Sequence, residues 1–207
     1  MTLGLLIEFL IAFPILALSL TLHEFAHGWV ADRCGDPTAK LSGRLTLNPL
    51  AHIDLWGTVL LPIFFIITLH APFGWAKPVP VNFMNLRRPK EQMVWVAVAG
   101  PIANLFLALF FASFLHVGSI AATSWLGQIV TLGSLMNLIL AVFNIIPLPP
   151  LDGSRVVMGL LPTSLLPYYR RLESFGFLIV LFLWATGLLS RVLLPVVALL
   201  ARILGLT

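Results

Sequence analysis

Apolar residues in this chain come in long runs separated by short polar stretches. Leu3–Val30, Gln92–Leu115 and Ser124–Ile146 are each long enough to cross a bilayer, which takes about 20 apolar residues. Ser174–Ser190 is at the short limit, and Pro14 interrupts the first run. Leu55–Leu69 and Val192–Leu206 are shorter and contain Pro62 and Pro195. The pattern predicts an all-α polytopic membrane protein of four to six membrane segments, with 55–69 re-entrant rather than spanning. Gly74–Phe83 departs from it by alternating and carrying Pro78 and Pro80. Prolines bar a central strand but allow an edge, so a short β-hairpin or edge strand is expected there.

Composition agrees with the run lengths. Of 207 residues, 59% are hydrophobic and 10% charged, where soluble domains carry about 25% charged residues. No polar block is long enough for a separate soluble domain, so residues 1–207 are expected to form one integral-membrane domain. The net charge of +4 does not point to nucleic acid, because the basic residues flank apolar runs and suit anchoring in a lipid bilayer. Cys34 is the one cysteine, which excludes an intrachain disulfide and a cysteine zinc site. The first apolar run lacks a basic leader, so no cleavable signal peptide is expected.

The chemistry lies in HEFAH, His23–His27, inside the first run. Four helical residues turn about 400°, so His23 and His27 share one face about one turn apart and can grip one zinc ion. Glu24, beside the first ligand, can reach water at the metal as general base. Ionisable side chains in an apolar helix are costly unless partnered, which favours a site over chance. A catalytic zinc needs a third protein ligand. Asp152 follows the helix-ending Pro147, Pro149 and Pro150 and precedes Gly153. It can turn back into the bundle as a ligand or cap the next segment. His52 and Asp54 are rival ligands, with Asp54 better read as an N-cap.

HEFAH on a membrane helix, AGPIAN at Ala99–Asn104 and NIIPLPPLDG at Asn144–Gly153 together resemble the site-2 protease family of intramembrane zinc metalloproteases. LSGRLTLNPLAHID and GWAKPVPVN further resemble its small bacterial and archaeal members. The resemblance implies one zinc ion held by His23, His27 and Asp152, with Glu24 as catalytic base. It also implies hydrolysis of a transmembrane protein substrate in a cell membrane, often to release a regulatory domain. Larger members carry PDZ or CBS domains, and this chain has room for neither.

Two further expectations follow. If 55–69 is re-entrant, the C-terminal ends of the first and third long helices meet on one side of the membrane. That side then carries Arg33, Lys40, Arg44, Lys77, Arg87, Arg88, Lys90, Arg155, Arg170 and Arg171, while the His116–Thr123 loop has no Lys or Arg. The positive-inside rule makes the active-site side cytoplasmic. An unwound substrate also needs backbone partners. The 74–83 edge, Asn104 and Asn144 are candidates to bind it, while Asn137 is better read as helix packing. The rival functions are a zinc or other ion transporter, which should show paired repeats and midplane ligands, and an inactive membrane scaffold. Nothing in the sequence fixes the oligomeric state.

Overall fold

The computed structural model describes residues 2–70, 72–117 and 120–206. Helix α1, Thr2–Cys34, holds the first apolar run and continues through Pro14. The short α2, Thr38–Leu41, follows. A π-helical turn, Leu55–Leu60, leads into α3, Leu61–Leu69. The long helices α4, Pro89–His116, and α5, Trp125–Asn144, carry the next two runs. They are followed by α6, Asp152–Leu160, and α7, Leu166–Arg170. The bent pair α8, Glu173–Ala185, and α9, Leu188–Ile203, ends the described fold. Three helices are long and apolar enough to cross a membrane, or four if the bent pair is one span.

Helix α4 is the centre, packed against α1, α5 and α6. Ala108 and Leu138 meet Val197 and Ala201, which seats α9 on the α4–α5 pair. At the other end, Ala31, Leu86 and Val96 form a second apolar cluster. Between these layers lies a polar seam. The Ser134 hydroxyl donates to Ala108 O, and the Asn137 amide donates to the Ser19 hydroxyl and to Gly133 O. Asn137 thus packs helices, as its position suggested. In an apolar surround each such group needs a partner, and the seam supplies one from a neighbouring helix.

The 55–69 segment behaves as a re-entrant excursion. The backbone N–H of Arg87 donates to Cys34 O, so the start of α4 lies at the end of α1. The chain between them therefore leaves and returns at one end of the bundle. On the way back Trp75 N–H bonds Gly57 O and Lys77 N–H bonds His52 O. The expected strand or hairpin at 74–83 does not form, and no strand occurs among the described residues. The reason is local: Pro78 and Pro80 offer no N–H, and the remaining donors bond a helix end, a loop and a side chain instead of a neighbouring strand.

The C-terminal boundaries also differ from the apolar runs. The break falls at Thr186–Gly187, where the pair bends by 77°. Gly187 takes a left-handed φ of 71°, a conformation that glycine adopts without a Cβ clash. Ser119, in the loop expected on the far side of the membrane, lies outside the described residues.

Candidate metal centre and its cover

Helix α1 places His23 and His27 one turn apart on the face that meets α4. The His27 Nδ1–H donates to Val96 O at 2.7 Å. The His23 Nδ1 lies 2.6 Å from Asn104 Oδ1. The Asn104 amide nitrogen donates to Asn137 Oδ1 at 2.8 Å, which turns its carbonyl oxygen toward His23. A carbonyl oxygen can only accept, so both imidazoles carry their proton on Nδ1 and present a lone pair on Nε2. The two Nε2 atoms stand 3.0 Å apart.

Asp152 completes the cluster. The turns after α5 bring the first residue of α6 back against α1. Asp152 Oδ2 lies 3.2 Å from each Nε2. A Cβ at Gly153 would fall on the carbonyls of Ile145 and Ile146, so the residue after Asp152 must be glycine for the turn to close this tightly. As a carboxylate, Asp152 offers a hard oxygen ligand to a cation among the three atoms.

The residues fit a zinc ion. Three acceptor atoms converge with no donor between them, and Asp152 Oδ2 is buried with no hydrogen-bond partner among the described residues. Facing lone pairs repel unless a cation lies among them. A tetrahedral site with bonds of about 2.0–2.1 Å has ligand–ligand edges of about 3.3 Å, close to the 3.0 and 3.2 Å found here. His23, His27 and Asp152 are the one such group of three among the described residues. Gly100 of α4 lies against both rings, and a Cβ there would fall on His27 Nε2 and 2.6 Å from His23 Nε2. Only glycine lets α4 approach this closely.

Glu24 projects beside the cluster, half-buried. Its Oε2 accepts the Val79 N–H at 2.7 Å. The 74–82 segment thus covers Glu24 through one backbone hydrogen bond. Arg44 holds the same segment by donating from Nη2 to Lys77 O at 2.9 Å. The buried Asp36 anchors its end, accepting from Asn82 N at 2.7 Å and from Asn85 Nδ2 at 2.9 Å. Its carboxyl also accepts from the Thr38 hydroxyl and backbone N–H. Burial pushes the Asp36 carboxyl up, but these donors outweigh it and hold it below its ordinary value. Sequence reasoning missed Asp36. The signal was Gly-Asp-Pro-Thr directly after α1, where an Asp side chain readily bonds the backbone two residues on.

The remaining candidates separate. Asp54 caps the π-helical turn by accepting from Gly57 N at 2.7 Å, and His52 donates to Thr46 O. Neither joins the cluster. Asn104 was expected to bind substrate, but it is fully buried and bonded to His23 and Asn137. No surface of it remains for a substrate, so that expectation is corrected. Asn144 is half-buried at the end of α5, and its amide donates to Leu140 O at 3.0 Å within its own helix.

Comparison with known proteins now bears on this geometry. The sequence profile of Peptidase family M50 matches residues 11–120 and 113–186. The chain belongs to this family, the site-2 proteases. It is 42% identical over 187 residues to "Putative zinc metalloprotease YwhC" of Bacillus subtilis, covering 87% of this chain and 82% of that one. It is 36% identical over 181 residues to "Putative zinc metalloprotease Rip2" of Mycolicibacterium smegmatis, covering 84% of this chain and 66% of that one. No solved structure matches the chain. The chain is thus a multi-pass membrane protein of a zinc metalloprotease family.

Proposed function

We propose that this chain, as one catalytic domain, hydrolyses peptide bonds of transmembrane-helix substrates near the cytoplasmic membrane face. His23, His27 and Asp152 hold the zinc, and Glu24 is the general base. The observation that carries this reading is the convergence of three acceptor atoms 3.0–3.2 Å apart, with both Nδ1 atoms committed elsewhere. When bound, zinc supplies Lewis acidity that polarises a peptide carbonyl and acidifies water.

The chain's own residues do the rest. Glu24 takes a proton from the attacking water and passes it to the leaving amine. The Val79 N–H fixes the Glu24 carboxylate and keeps one oxygen free for that exchange. Asn104 fixes the ring plane and tautomer of His23. Asn144, half-buried at the same end, offers its second amide N–H to a substrate carbonyl. The basic residues gathered at this end of the bundle support a cytoplasmic orientation. Cleavage there would release a cytoplasmic segment of the substrate, the basis of regulated intramembrane proteolysis.

The test is zinc analysis together with cleavage of a membrane reporter by wild type and Glu24→Gln. Wild type should bind one zinc per chain and cleave. Glu24→Gln should keep its zinc and lose cleavage by about 10²–10⁴-fold. Zinc-loaded wild type that leaves every reporter intact, or equal cleavage by Glu24→Gln, would overturn the reading and favour transport or scaffolding.

A further inference from the structure

A groove of about 840 Å³ runs between α1, α5 and the returning 72–76 segment. On α1 its wall repeats every four residues from Glu8 to Leu20, and on α5 it extends from Gln128 to Leu140. His23 lies three residues beyond Leu20, and Asn144 four beyond Leu140. Both helices therefore run from the far end of the groove toward the metal centre. Its wall is mostly apolar, and the polar side chains on its two long helices are Glu8 and Gln128.

Glu8 is the one ionisable side chain lining the groove. It is exposed there, and it makes no hydrogen bond or ion pair with a described residue. Gln128, near the start of α5, donates from Nε2 to Thr123 O at 3.3 Å, and its carbonyl oxygen accepts no hydrogen bond from a described residue. A carboxylate and an amide oxygen are both acceptors, and an unpaired carboxylate in an apolar helix is costly. The two complement a cationic donor. Fifteen helical residues separate Glu8 from His23, a rise of about 22 Å.

Resting on the proteolytic reading above, we propose that the groove selects its transmembrane substrate by a Lys or Arg about 10–15 residues from the scissile bond. That side chain pairs with Glu8 and Gln128. An intact helix covers 22 Å in about 15 residues, and unwinding about four residues at the metal shortens the count to about 10. Glu8 and Gln128 are specificity-determining residues. They lie too far from the metal centre to touch the reacting atoms.

The experiment uses the full, zinc-loaded chain in phosphatidylcholine vesicles. Single-span reporters carry one Lys walked from 6 to 18 residues from the cleaved bond, with cleavage sites read by mass spectrometry. Wild type should prefer Lys at 10–15 residues by about tenfold over a Lys-free helix, the effect of one charge-assisted hydrogen bond. Glu8→Gln should lose that preference. Glu8→Lys should reverse it, favouring a reporter with Glu at the same position. A short peptide spanning only the cleaved bond should be hydrolysed equally by all three proteins, and zinc content should be unchanged. A rate independent of Lys position, or an unreversed preference in Glu8→Lys, would overturn the proposal. So would a Glu8 effect that appears only when phosphatidylethanolamine is added, because the groove would then hold a lipid headgroup. If neither the peptide nor any reporter is cleaved, the proteolytic reading fails and the selection fails with it.

Discussion

The two halves of α1 have similar helical backbone and opposite burial. From Leu3 to Leu18 the helix presents large apolar side chains outward, with Leu3 70% and Leu10 64% exposed. From Ser19 onward the buried side chains include Ser19, Thr21, His23 and His27. A soluble helix buries its apolar face. Here apolar surface can face lipid, and polar groups gather where other helices can satisfy them. Outside the groove wall, the first half can therefore tolerate change that the second cannot.

That contrast is tested most severely at the metal. Changing His23, His27 or Asp152 to Ala should abolish stoichiometric zinc and reduce cleavage below detection, measured by metal analysis and reporter turnover. Asp54→Ala should keep its zinc. Zinc lost from Asp54→Ala but kept by Asp152→Ala would move the third ligand.

The next effect lies one bond away from the metal. Asn104→Leu leaves the His23 Nδ1–H without its acceptor and should weaken zinc binding by about 10–100-fold, the usual cost of removing a partner behind a ligating imidazole. Leu10→Ala, in the first half of the helix, should leave zinc affinity and cleavage unchanged. Equal losses from both substitutions would mean that the two halves do not differ as described. A chelator competition titration reads both.

The cover over Glu24 comes third. Val79→Pro removes the N–H that Glu24 accepts and should slow cleavage by about tenfold, the worth of one hydrogen bond to a charged group, with zinc retained. Val81→Pro should do less, because its N–H makes no hydrogen bond to a described residue. A larger loss from Val81→Pro would favour strand pairing with substrate over positioning of Glu24.

The smallest effect near neutrality belongs to Asp36. Its carboxyl titrates lower folded than unfolded. Its contribution to stability is therefore fully present above the unfolded value of about 3.9 and is lost as pH falls through the lower folded value. Asp36→Asn should lower unfolding temperature at pH 7 and flatten its decline on acidification. An unchanged decline would assign the acid sensitivity to other carboxylates.

Much of the site was legible in advance because it is local. Two histidines four residues apart share a helix face by geometry alone, and three proline positions after α5 forced the turn that returns Asp152. The lengths of the apolar runs fixed which helices could span. The 74–83 segment was misread because alternation and edge-tolerant prolines describe a strand without saying whether a partner exists. Its donors instead reach Gly57, His52 and Glu24.

The sequence by itself determined the membrane setting, the helical frame and the pair of imidazoles, since each depends on residues within one or two turns. Only the tertiary structure decided that Asp152 and not Asp54 faces those imidazoles. It alone set Asn104 against a histidine 81 residues away, and it alone laid Val79 on Glu24. Periodicity specifies which face of a helix a residue occupies. The neighbour on that face is set by how the helices pack, and here Gly100, lying against both imidazoles, permits the approach of α4 that brings those neighbours together.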